Sequence, residues 1–193
     1  GISPLKKYQA DGGPGITKVM EILLSSENAE QDRYQFFKTQ IVFWLLAATD
    51  GHAKNCSIFT LPESRFRAAP LYDVLSGHPI LGSGANKLAP QRAKLAMAVR
   101  GSENYHHLQL IKRRHWSKHA QQVGLGAPAA EKMIEEVIAI PRPVIDAVFA
   151  QPPPDVPQDR AYPICGGVLH QRESLRTLAC QPRAEQAPTQ LPA

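Results

Sequence analysis

The sequence feature that most constrains the fold is a helix whose carboxyl end is apolar on every side. Asp32 opens an amphipathic helical pattern, and residues 41–48 form an unbroken apolar run at its end. A helix that is apolar all round is buried, so these last turns belong in the core. The run is followed almost at once by the polar hexapeptide DGHAKN at residues 50–55. The fold therefore carries a polar loop directly on the end of a buried helix.

Shorter segments of regular pattern occupy much of the remaining chain. Apolar residues recur three and four positions apart in further helical segments, at about residues 16–24, 105–111, 115–123 and 127–140, and Pro141 begins a last helix that ends near residue 150. Residues 57–60 and 65–68 flank a turn and predict a small hairpin. Residues 94–99 fit either a strand or a helical turn. The pattern predicts a mainly α fold with a small β-hairpin.

Length and composition are those of an ordinary globular protein. The 193 residues suit one domain, and no apolar run approaches the roughly 18 residues of a membrane span. Three cysteines are too few for a disulfide framework and fit a reducing cytosol, so we expect a cytoplasmic protein without membrane contact. Residues 151–193 contain eight prolines and no periodic pattern. They predict a disordered tail after a domain of residues 1–150.

Positive charge is concentrated in residues 87–119. This segment holds eight Lys and Arg residues and one acid, a net charge of +7, so the rest of the +5 chain sums to −2. Such a stretch fits a polyanionic partner such as nucleic acid, and it fits a solvated basic face as well. His115 and His119 in this segment lie four positions apart, but no third residue has the spacing that a zinc site needs.

The residues that can carry chemistry are Asp50, His52, Asn55 and Asp73. Asp50 and Asn55 share one short loop, and the predicted hairpin brings Asp73 back beside them. Phosphoryl transfer needs such a set, since one carboxylate accepts the proton of the attacking hydroxyl while an amide oxygen and a second carboxylate hold magnesium. A histidine two residues after the first acid can donate to a phosphate oxygen. The alternative interpretation is an ordinary turn, because Asp, Gly and Asn are common after helices.

Several longer motifs surround these four residues. They are FWLLAATDGHAKN at 43–55, SIF at 57–59, PLYDVLS at 70–76, KYQ at 7–9, DGGPG at 11–15 and AKLAMAVRG at 93–101. Together they resemble the C-terminal lobe of the HipA-family serine/threonine kinases, over roughly residues 3–150. The resemblance implies the C-terminal lobe of a protein-kinase-like fold.

The same resemblance implies a role for each candidate residue. Asp50 stands at the position of the family's catalytic aspartate, and Asn55 and Asp73 stand at those of its magnesium ligands, so the implied cofactors are ATP and Mg²⁺. His52 occupies the place that a histidine has in the catalytic loop of phosphoinositide kinases. The family further implies a bacterial cytosolic toxin that phosphorylates protein serine or threonine. A HipB-type antitoxin would neutralise it, and the complex would contact DNA through that antitoxin.

The N-terminal lobe of such kinases has no visible counterpart in the sequence. That lobe supplies a lysine that pairs with the nucleotide phosphates and a loop that covers them. The chain therefore resembles the C-terminal portion of such a kinase, as a fragment, a truncated gene product or one half of a split pair. We expect no measurable kinase activity from this chain alone. The alternative is a non-catalytic chain that binds an antitoxin or such an N-lobe. Direct nucleic-acid binding by residues 87–119 ranks below both.

Overall fold

The computed structural model describes residue 3, residues 5–154 and residues 156–176. In chain order its elements are α1 (Ile16–Ile22), α2 (Ala29–Leu45), β1 (Ile58–Thr60), β2 (Phe66–Ala68), β3 (Lys94–Arg100), β4 (Asn104–His107), α3 (Arg113–Gln122), α4 (Ala127–Ala139), α5 (Pro141–Ala150) and α6 (Gln158–Arg176). The predicted mainly α fold with small strand pairs is confirmed. None of the helices within the described ranges has the length and hydrophobicity that crossing a bilayer requires.

Helix α2 forms the centre of the core. Phe37 and Trp44 on this helix are 0% and 2% exposed, and the indole N–H of Trp44 donates to the backbone O of Leu108 at 3.0 Å. Helices α1, α4 and α6 all contact α2. Most of residues 41–48 are buried, which confirms the prediction from the apolar run.

The strands form two separate antiparallel pairs, β1 with β2 and β3 with β4. The first pair is the predicted hairpin. In the second, residues 95–99 of β3 are all buried, and the ambiguity at this segment is settled in favour of a strand. Its partner β4 lies where the sequence predicts a helix over residues 105–111, and that prediction is wrong. A buried strand must pair its backbone N–H and C=O groups, and β4 supplies that pairing, with Tyr105 opposite Val99.

Helix α6 corrects the prediction that residues 151–193 form a disordered tail. Val168 and Leu175 on this helix are 7% and 0% exposed. The guanidinium of Arg172 donates to the backbone O of Ile138 at 2.6 Å, and α6 also contacts α5. The helix is therefore packed onto the domain that was predicted to end at residue 150.

The sequence of α6 does not predict a helix because several of its residues have low helix propensity. Pro163 lies inside the helix, and a Gly-Gly pair follows it, and both residue types disfavour helix formation. Gly167 lies so close to the imidazole of His78 that a Cβ there would overlap the ring. Tertiary contact, which periodicity does not reveal, holds the helix. The predicted disorder of residues 177–193 falls outside the described residues.

Candidate active site

The polar loop predicted at residues 50–55 lies within the connection between α2 and β1, residues 46–57, which we call the site loop. It leaves α2 through Ala47, whose φ of 51° is left-handed. Gly51 then packs against the ring of Phe43, and a Cβ at this position would overlap that ring. The side-chain amide of Asn55 donates to the backbone O of Asp50 at 3.2 Å. The helix end and the loop together fix the position of Asp50.

The carboxylate of Asp50 is held through one of its two oxygens. Its Oδ1 accepts hydrogen bonds from the Tyr8 hydroxyl at 2.5 Å and the Lys7 ammonium at 3.1 Å, and His52 Nε2 lies 3.6 Å from the same atom. Among the described residues nothing bonds to Oδ2, and the side chain is 45% exposed. One oxygen is therefore held by the protein, while the other has no hydrogen-bond partner among the described residues.

These contacts stabilise the charged form of Asp50. The hydrogen bond from Tyr8 does most to lower the pKa of Asp50, and the bond and charge of Lys7 and the charge of His52 act in the same direction, against the effect of desolvation. The pKa of Lys7 is raised by its contacts with Tyr8 and Asp50. At neutral pH the pair is a carboxylate beside an ammonium.

His52 lies beside Asp50 and is buried. The residue is 6% exposed, its ring meets that of Tyr8 edge to face at 5.8 Å, and its buried Nδ1 has no hydrogen-bond partner among the described residues. Direct donation from His52 to a phosphate oxygen stays a prediction. The ring lies against the same oxygen of Asp50 that Tyr8 and Lys7 hold.

Asn55 is placed with its amide oxygen available. The residue is 7% exposed, and its Nδ2 is committed to the backbone O of Asp50. The other end of the amide, Oδ1, is thereby the free end. A neutral oxygen of this kind is one of the ligands that Mg²⁺ accepts, so the donor fits the predicted metal role.

Asp73 lies on a segment that is fastened to both ends of the site loop. The hydroxyl of Tyr72 donates to the backbone O of Lys54 at 3.0 Å, and Ser76 Oγ donates to the backbone O of Leu46 at 2.9 Å. Asp73 itself has a left-handed φ of 55° and is exposed. Within the described ranges it has no ion-pair partner, so its carboxylate is available as a ligand. The metal roles of Asp73 and Asn55 stay predictions.

Lys7 and Tyr8 belong to the site, although the sequence does not assign them a role there. They precede Asp50 by more than forty residues, and spacing alone gives no reason to place them beside it. The signal that they matter was the motif KYQ followed by DGGPG. In the structure, Lys7 and Tyr8 of this motif contact the carboxylate of Asp50.

The two histidines that suggested a zinc site serve in packing. His119 Nδ1 accepts from the backbone N–H of Arg100 at 3.1 Å, and its Nε2 lies 3.1 Å from Thr17 Oγ1. His115 stacks on Tyr105 with ring centroids 4.0 Å apart. Across residues 5–154 and 156–176, no three His, Cys, Asp or Glu side chains come together as a metal site.

The basic residues of 87–119 divide between structural and surface positions. Arg113 is 12% exposed and pairs with Glu135 at 2.5 Å and with Glu131, so its charge is neutralised within the fold. Arg100 at the end of β3 and Arg114 on α3 are exposed. Part of the positive charge is therefore structural, and the remainder lies on a surface.

The family model of the HipA-like C-terminal domain matches residues 1–143. The chain belongs to the HipA family. The match includes the site loop, Asp73 and the amino-terminal residues that contact Asp50, and it ends before α6.

A solved structure shares the fold of this HipA-family chain. It is the HipA, HipB and operator DNA complex of the toxin–antitoxin system of Shewanella oneidensis MR-1, with a TM-score of 0.71 and 18% sequence identity. The alignment covers 91% of this chain and 41% of that one. The chain thus spans less than half the length of its structural relative and has the fold of the C-terminal lobe of a protein-kinase-like protein.

Proposed function

We propose that this HipA-family chain is the catalytic lobe of a serine/threonine protein kinase that requires an N-terminal lobe for activity. The observation that carries the proposal is the bonding of Asp50, whose Oδ1 is held by Lys7 and Tyr8 while its Oδ2 has no hydrogen-bond partner among the described residues. A fixed, ionised carboxylate with one free oxygen is suited to orient a hydroxyl and accept its proton.

The chemistry assigns one task to each residue of the site. The hydroxyl oxygen of a substrate serine or threonine attacks the γ-phosphorus of ATP as its proton passes to Asp50 Oδ2, and the bond from that phosphorus to the bridging oxygen breaks to release ADP. Asn55 Oδ1 and the carboxylate of Asp73 would hold Mg²⁺, which neutralises charge on the phosphates when bound. The donor set fits, because both are hard oxygen ligands.

A second observation supports the need for an N-lobe. Ile58 and Phe59 on β1 are 50% and 44% exposed, and Leu71 and Leu75 on the segment around Asp73 are 48% and 60% exposed. These apolar side chains flank the site loop, where solvent contact is unfavourable. The same observation favours the second candidate function, a non-catalytic chain that binds an N-lobe or an antitoxin.

The partners follow from the structural relative. That protein is a HipA in complex with HipB and operator DNA. We infer that this chain also acts in a toxin–antitoxin system of the bacterial cytosol and that an antitoxin of HipB type binds it. Contact with DNA would be made through that complex.

Reconstitution tests the proposed kinase function. The chain is mixed with the N-terminal lobe of a HipA-family kinase, ATP labelled at the γ-phosphate, Mg²⁺ and a protein substrate, and labelled phosphoserine and phosphothreonine are measured. We expect transfer from the mixture and none from either part alone, because the phosphates must be enclosed from both sides. Asp50→Asn should remove the label, whereas Asp146→Asn, the same change on the exposed face of α5, should not.

Two outcomes would count against the proposal. If the N-lobe binds the chain and no label is transferred, the non-catalytic interpretation is favoured. If the isolated chain transfers label and Asp50→Asn abolishes it, the chain is a kinase that needs no N-lobe, and the requirement for one is wrong.

A further inference from the structure

Two adjacent side chains from a distant part of the sequence meet at one oxygen of Asp50. Lys7 and Tyr8 both donate to Oδ1, at 3.1 and 2.5 Å, and neither bonds to Oδ2. A carboxylate can rotate and exchange its two oxygens unless one of them is held. Two donors of different chemistry on the same oxygen fix the orientation of the group, and a charge-assisted bond is the stronger kind.

The loop that presents these donors is itself rigid. The backbone N–H groups of Asp11 and Gly13 both donate to the backbone O of Tyr8, at 3.1 and 2.9 Å. A Cβ at Gly13 would lie 2.8 Å from that same backbone O, closer than any side chain tolerates. The turn therefore requires glycine at this position, and it locks the backbone of Tyr8.

A second tether joins this loop to the core. The side-chain oxygen of Gln9 accepts from the backbone N–H of Ala98 at 2.7 Å, and Ala98 lies in the middle of the buried strand β3. Gly15 lies directly against the amide of Gln9, where a Cβ would overlap it. The segment that carries the two donors to Asp50 is thus anchored to β3. This anchor does not involve the site loop that carries Asp50.

We propose that Lys7 and Tyr8 are positioning residues that fix Oδ1 of Asp50 and so aim Oδ2 at the substrate hydroxyl. The inference rests on the proposed kinase function and adds to it the residues that determine the orientation of the base. Misplacing a reacting group by about 1 Å can cost about 10²-fold in rate. Loss of either donor should therefore lower turnover without removing the carboxylate.

Kinetics of the completed kinase test this positioning role. Tyr8→Phe and Lys7→Met should each lower kcat by roughly 10- to 100-fold and leave the KM for ATP within about twofold, because neither side chain is assigned to the nucleotide. Lys7→Arg should restore most of the loss of Lys7→Met, since it returns a cationic donor. Unchanged kcat in Tyr8→Phe and Lys7→Met, or a rise in KM alone, would overturn the proposal.

Matched variants separate positioning from general damage. Lys6→Met removes the neighbouring ammonium, which does not contact Asp50, and should leave kcat unchanged. Tyr105→Phe deletes a hydroxyl whose one hydrogen-bond partner in the described part of the chain is Ser102 Oγ, at 2.9 Å, and it should behave in the same way. If these controls lose as much activity as Tyr8→Phe and Lys7→Met, the fall in kcat does not come from a changed orientation of the Asp50 carboxylate.

The contact is also tested without any kinase activity. In the purified chain, Tyr8→Phe should lower the melting temperature in the wild-type background and have less effect in the Asp50→Ala background, because the bond it removes is already absent there. Equal shifts of the melting temperature in both backgrounds would overturn the inferred coupling between Tyr8 and Asp50. This measurement separates failure of the positioning inference from failure of the proposed function. If the proposed function fails, the wild-type kinase transfers no phosphate while the thermal coupling between Tyr8 and Asp50 remains.

Discussion

Protonation of His119 should destabilise the fold below neutral pH. The ring is 1% exposed, and its Nδ1 accepts a hydrogen bond from the backbone N–H of Arg100. The proton of the neutral ring therefore lies on Nε2, from which it is donated to Thr17 Oγ1 at 3.1 Å. A second proton would face the N–H of Arg100 and break that bond, and it would place a buried positive charge near the guanidinium of Arg100.

The structure sets the size and direction of this effect. Burial, with a smaller contribution from the charge of Arg100, lowers the pKa of His119 from 6.5 to about 4. Between these values the unfolded chain binds a proton that the folded chain does not, so stability is complete above about pH 6.5 and falls as the pH drops toward about 4. At about 1.4 kcal/mol per pKa unit the full effect is about 3 kcal/mol. About 2 kcal/mol of it is lost between pH 7 and pH 5.

Urea unfolding followed by tryptophan fluorescence measures this loss. The free energy of unfolding is determined at pH 7 and pH 5 for the wild type, for His119→Gln and for the control His107→Gln on β4. The remaining ionisable groups are common to the three proteins, so their contributions cancel in the comparison. We expect the drop to be about 2 kcal/mol smaller in His119→Gln and unchanged in the control. A drop in His119→Gln equal to that of the wild type would show that His119 is not the source of the loss, as would an NMR titration of its ring near pH 6.5.

Two further predictions concern the metal and the site loop. Asp73→Ala should abolish Mg²⁺-dependent nucleotide binding and Asn55→Ala should only weaken it, because the carboxylate contributes more charge to the cation; titration with a fluorescent ATP analogue ranks them, and the reverse order would contradict the assignment. Gly51→Ala should lower the free energy of unfolding by about 1–3 kcal/mol through overpacking. Gly166→Ala on α6, where a Cβ meets nothing within 4 Å, should not lower it, and equal losses in the two variants would remove packing as the cause.

Local pattern was sufficient to predict the elements that are locally determined. The buried end of α2, the hairpin of β1 and β2 and the helices α3, α4 and α5 all follow from periodicity and turn residues. The candidate residues of the site loop were equally visible, because Asp50, His52 and Asn55 are close in sequence and stand at the end of a helix that has to be buried. The family was recognisable from the same residues.

Tertiary contacts determine what the sequence pattern did not show. The segment of β4 carries Tyr105 and Leu108 at helical spacing, yet the unpaired edge of the buried strand β3 makes it a strand. Helix α6 contains Pro163 and is held by its packing. The hydrogen bonds from Lys7 and Tyr8 to Asp50 join residues that are more than forty positions apart in sequence. Contacts of this kind depend on the tertiary fold and not on local sequence pattern.

The turnover of Asp50→Asn in the completed kinase tests whether the carboxylate of Asp50 is the base in phosphoryl transfer. The amide keeps the size of the side chain but cannot accept the hydroxyl proton as the carboxylate does. We predict a fall in kcat of about 10²–10⁴-fold with the affinity for ATP and Mg²⁺ changed by less than about threefold. Near-normal turnover in this variant, with wild-type nucleotide affinity, would contradict the role of Asp50 as the base.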